Sequence, residues 1–74
     1  MPATESPYWY EIRVQEQIGE QSRSWFEGLN VLPIVSGGTL LAGQIVDQSA
    51  LHGLLALIRD LNLTLISVNR VEEE

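Results

Sequence analysis

Apolar residues in this chain recur with two different periods. The order in which those periods follow one another constrains the fold more than any other feature. From Tyr8 to Gln15 the alternation is strict: Tyr8, Tyr10, Ile12 and Val14 fall on one side, and Trp9, Glu11, Arg13 and Gln15 on the other. A period of two is that of a half-buried strand. Further on the period lengthens. Leu51, Leu54, Leu55, Ile58 and Leu61 are spaced for one face of a helix over about residues 48–61. Asp47 stands where an N-cap belongs, and Asn62 can close the helix in the left-handed conformation.

The segments between these two complete the pattern. Ser22 to Gly28 reads as a short helix, with Ser24 and Glu27 at capping-box spacing, Ser22 as an alternative cap and Gly28 as the stop. Trp25, Phe26 and Leu29 are its expected anchors. Leu29 to Val35 is a strand whose Pro33 lacks an N–H and so belongs at an edge or a bulge. Ser36-Gly37-Gly38 is a turn, and Thr39 to Val46 returns as the second arm of a hairpin, with Gly43 as a bulge or close-approach site. Leu63 to Val71 is the last strand. The order β-α-β-β-α-β is that of a ferredoxin-like α+β fold. It implies a four-stranded antiparallel sheet with strand order 4-1-3-2, a short first helix and a long second one on the same face. Residues 1–7 read as a loose lead, 8–71 as the single domain and 72–74 as an acidic tail.

At 74 residues, such a domain is short of core. The usual supports are mostly missing. There is no Cys, which removes disulfides and thiolate chemistry, and a single His cannot build a His-rich metal site. The four cations are all Arg, so a Schiff-base or P-loop lysine is excluded. The remaining support is a second chain. Strict alternation leaves apolar residues on both faces of two strands: Leu63 and Leu65 against Ile66 and Val68, and Leu41 and Ile45 against Leu40 and Val46. Trp9 sits on the otherwise polar side of the first strand. An apolar sheet face is not left wet, so self-association is expected, a dimer above all, with Trp9, Leu40 and Leu65 at the contact.

The net charge is −6, and Glu72-Glu73-Glu74 supplies half of that excess. The same element order serves RNA-recognition domains, whose sheet aromatics stack bases, but those carry a basic face. No nucleic-acid partner is expected here. No apolar run approaches a membrane span and no signal-peptide pattern opens the chain, so a cytoplasmic protein is expected.

Several short stretches carry a family likeness: Glu11-Ile12-Arg13-Val14, Trp25-Phe26-Glu27-Gly28-Leu29, Val46-Asp47-Gln48, Leu51-His52-Gly53-Leu54-Leu55 and Ile58-Arg59-Asp60-Leu61. Together, over roughly residues 8–71, they resemble a family of short stand-alone bacterial proteins with no established activity. The resemblance implies a bacterial, single-domain, cytoplasmic protein, and it supplies no catalytic residues.

The candidate chemistry is sparse. His52 is the one side chain that titrates naturally near neutrality, and it follows Asp47 by five residues. Asp47 orients His52 if the pair is functional, and caps the helix if it is not. Glu27, Asp47 and Asp60 form a metal site only if folding brings them together; no metal or other cofactor is expected. Gly37-Gly38 precedes no helix and is a turn, not a phosphate loop. Arg13 and Arg59 are able to hold a ligand's carboxylate or phosphate, or to pair with Glu11 and Asp60. The reading that follows is a non-enzymatic, self-associating interaction module. Its first alternative is a regulatory domain holding a small molecule in a pocket between subunits lined by Arg13, Trp25 and His52. The second is a small enzyme using His52.

Overall fold

A computed structural model describes residues 8–71. The lead and tail read from the sequence lie outside those residues. The fold is α+β, a four-stranded antiparallel sheet with two helices, as the periods imply. Strand β1 spans Tyr8–Val14, helix α1 Glu20–Arg23, β2 Asn30–Pro33, β3 Thr39–Ile45, α2 Gln48–Asp60 and β4 Leu65–Val71. A 3₁₀ turn, Ser24–Phe26, continues α1. The sheet order is β2-β3-β1-β4, and every neighbouring pair is antiparallel. No helix among the described residues is long and apolar enough to cross a membrane.

Helix α2 forms where its period places it. The Asp47 carboxylate accepts from the Ala50 N–H at 2.8 Å, satisfying one of the free donors of the first turn. Asn62, at φ 62°, ends it in the left-handed conformation. Gln48 adds a side-chain bond to the Tyr10 hydroxyl at 3.4 Å, tying the start of α2 to the sheet.

The first helix departs from its expected form. It begins two residues early, after an extended Gly19, and has no side-chain cap. Ser24 donates its hydroxyl to the Gln21 carbonyl, and Glu27 is extended, so the Ser24–Glu27 capping box does not form. Tightening to 3₁₀ geometry turns Phe26 inward, where it is 2% exposed, and leaves Trp25 61% exposed. Phe26 and the half-buried Leu29 are therefore anchors, and Trp25 is not. Gly28, at φ 87°, supplies the left-handed step into β2.

The core lies on one face of the sheet. Tyr10, Ile12 and Val14 of β1 and Leu41 and Ile45 of β3 meet Phe26 of the 3₁₀ turn and Leu51 and Ile58 of α2. Each such side chain contributes about 1.5–3 kcal/mol when fully buried. Gly43 sits under Leu29, and a β-carbon there would come 2.6 Å from a Leu29 methyl, which explains the close-approach glycine.

Strand β4 shows why strict alternation overstated the apolar surplus. Arg13 stands opposite Ser67, but Val14 stands opposite Leu65, so Ile66 is an extra residue in a bulge. The bulge lets Leu65 and Val68, three residues apart, stand opposite Val14 and Ile12, which share one face. Val46 falls just past β3 and outside the ladder.

Candidate functional site

The helices cover one face of the sheet, and the register defines the other. Residues opposite one another in a ladder share a face. Leu32, Leu40, Arg13 and Ser67 form one row across the open face; Asn30, Ala42, Glu11 and Asn69 form the next; Gln44, Trp9 and Val71 form the third. Apolar groups thus occupy diagonal corners, Leu32 with Leu40 at one and Trp9 with Val71 at the other. Glu11 and Arg13 lie between them. Leu32 is 47% and Val71 37% exposed, while Trp9 and Leu40 are half-buried among their neighbours. None of Trp9, Leu32 or Leu40 belongs to the core cluster.

The three expected contact residues therefore divide. Trp9 and Leu40 share the open face, and Leu65 stands opposite Val14, on the helix side of the ladder.

The three expected pocket residues also divide. Trp25 lines a cleft of about 240 Å³ at one end of the sheet, together with Phe26, Leu29, Ile45, Val46 and Leu54. Arg13 is on the open face, behind the sheet from that cleft. His52 is on the exposed side of α2 and does not line it. Asp47 is engaged as the α2 cap. Asp47 and Asp60 lie at opposite ends of a 13-residue helix, about 20 Å apart at 1.5 Å per residue. Among the described residues no group of three or more His, Asp or Glu is placed to hold a metal. Arg59 pairs with Asp60 at 3.2 Å, both largely exposed.

Two polar links escaped the sequence reading. The Glu16 carboxylate accepts from the Thr64 hydroxyl at 2.6 Å and from the Thr64 N–H at 2.7 Å. These bonds, the hydroxyl first, hold the Glu16 carboxyl below its ordinary value. The buried Thr39 hydroxyl donates to the Glu16 carbonyl at 2.9 Å and accepts from the Ile18 N–H at 3.1 Å. Together they fasten the exit of β1 to the start of β3 and to the loop before β4. The partners lie 21 to 48 positions apart, so no local spacing signals them.

A family model described as "Domain of unknown function (DUF8691)" matches residues 9–69. The chain belongs to the DUF8691 family. The matched span runs from β1 into β4 and includes both helices. No curated protein and no solved structure matches the chain.

Proposed function

We propose that this DUF8691 chain is a non-enzymatic interaction module of ferredoxin-like topology that self-associates through its sheet. The bacterial, cytoplasmic setting implied by its sequence resemblance belongs to the same reading. The carrying observation is the one-sided sheet: helices lie over the Tyr10–Ile12–Val14 face, and no described element lies over Trp9, Leu32, Leu40 and Val71. Trp is among the residues enriched where contact energies concentrate. The antiparallel order β2-β3-β1-β4 with helices after β1 and β3 supports the topology.

The test is the mass of folded Trp9→Glu beside that of the parent chain, by light scattering at micromolar concentration. A residue that dominates a contact is worth about 2 kcal/mol or more, roughly a thirtyfold loss in dimer affinity. The variant is expected to shift toward the 8.3 kDa single chain. An unchanged assembly mass would remove Trp9 from the contact.

The apolar cleft at Trp25 favours a second reading, a small-molecule site. A metabolite that raises the melting temperature of the parent chain but not of Trp25→Ala would support it.

A further inference from the structure

We propose that two copies join along β4, antiparallel, into one continuous eight-stranded sheet. The inference rests on the self-association proposed above and moves its contact from the open face to the sheet's edge, so that an unchanged mass for Trp9→Glu in a dimeric parent favours the edge over the face.

The two edges of the sheet are unequal. β2 has four residues and ends on Pro33, the kind of short, proline-bearing strand that resists pairing. β4 has seven residues, no Pro and one charged side chain, Arg70. Among the described residues, no strand pairs with its outer side. Beyond its bulge at Ile66, the stretch Ser67–Val71 is an edge with little charge, a template for another strand.

Backbone direction shows what the edge offers. The Gln15 N–H donates to the Thr64 carbonyl at 2.9 Å, so the odd-numbered residues of β1 turn their backbone groups toward β4. Arg13 faces Ser67 and Glu11 faces Asn69. Ser67 and Asn69 are therefore the residues that bond to β1, and Val68 between them turns its N–H and C=O outward.

The strand is also complementary to itself. With the two Val68 residues opposite each other, Ser67 of one copy faces Asn69 of the other. The exposed Ile66 and Val71 flank the paired stretch at its two ends. Charge selects the antiparallel direction. The chain continues past Val71 as Glu72-Glu73-Glu74, and parallel strands would start both acidic runs side by side. Antiparallel strands start them at opposite ends of β4, about 24 Å apart at ~3.4 Å per residue, well beyond a screening length of about 8 Å.

The chain has no Cys, so introduced thiols report without background. Ser67→Cys and Asn69→Cys chains are mixed and mildly oxidised beside each variant alone and beside a Ser49→Cys control on α2. A facing pair that does not exchange backbone bonds has Cα atoms about 4.5 Å apart, within disulfide reach. The mixture is expected to give covalent dimer several-fold above any single variant and above the control. A mixture no better than the control, from a parent chain that sediments as a dimer, would overturn β4 pairing and leave self-association standing; a monomeric parent would overturn both. Hydrogen exchange on the unmodified chain reads the same question without variants. The Val68 amide is expected to gain protection as concentration rises, and protection independent of concentration would refute the pairing.

Discussion

Two glycine-to-alanine substitutions, chemically identical, are expected to move stability in opposite directions. Gly38 closes the β2–β3 turn at φ 90°, and a β-carbon built on it falls 2.6 Å from the Val14 carbonyl oxygen and 3.3 Å from that of Gln15. Both neighbours are main-chain atoms at the end of the central strand β1, and they cannot step aside as a side-chain tip would. The left-handed backbone costs a non-glycine residue about 1–3 kcal/mol, and overpacking adds about 1–3 kcal/mol. A domain of this length has a total stability of about 4–11 kcal/mol. At about 4–8 °C per kcal/mol, Gly38→Ala should lower the melting temperature by about 8 °C or more. Gly53 lies inside α2 with nothing within 4 Å of the position its β-carbon would take. Alanine is better than glycine in a helix by about 0.8–1 kcal/mol. Gly53→Ala should therefore raise the melting temperature by about 3–8 °C. Thermal unfolding followed by circular dichroism measures both. A Gly38→Ala melting temperature within about 2 °C of the parent's, or a Gly53→Ala temperature below it, would refute the packing argument.

Other substitutions test other joints. Phe26→Ala should cost about 3–5 kcal/mol by emptying the core beneath the 3₁₀ turn, while neighbouring Trp25→Ala stays within about 0.5 kcal/mol; denaturant titration separates them. Asp47→Ala should remove about 1 kcal/mol with the α2 cap, read by the same titration. Glu16 provides a pH dependence. Its folded carboxyl is held below the ordinary value near 4.3, so its contribution is complete above that value and lost as pH falls through the lower folded one. In Glu16→Gln the melting temperature should depend less on pH across the acid limb below about pH 4 than in the parent, and an identical acid limb would mean the clamp is energetically idle.

What was legible in the sequence was what depends on near neighbours. Helix α2 announces itself through Asp47, its apolar stripe and Asn62, all within about four turns of chain. β1 does so by alternation, and the hairpin by Gly37 and Gly38, both of which take positive φ. The first helix was harder because it has too few turns for a period. Whether Ser24 and Glu27 cap one another is decided by the pull of Phe26 into a core assembled from distant strands. The bulge at Ile66 is equally non-local: it reconciles β4 with β1, and β4 alone reads as apolar on both faces. The candidate site suffered most. Arg13, Trp25 and His52 each suit ligand binding by chemistry, but a strand's outer face, a turn and a helix surface carry them to three separate places. Trp9 and Leu40 came together on one face because the pleat alone assigns faces.

Both the face contact and the β4 contact require that this sheet take up a second copy of the chain. Sedimentation equilibrium of the unmodified chain over the micromolar range tests that requirement most directly. A reversible rise in average mass from 8.3 kDa toward twice that value with concentration is expected. A single species at 8.3 kDa across the whole range would contradict it.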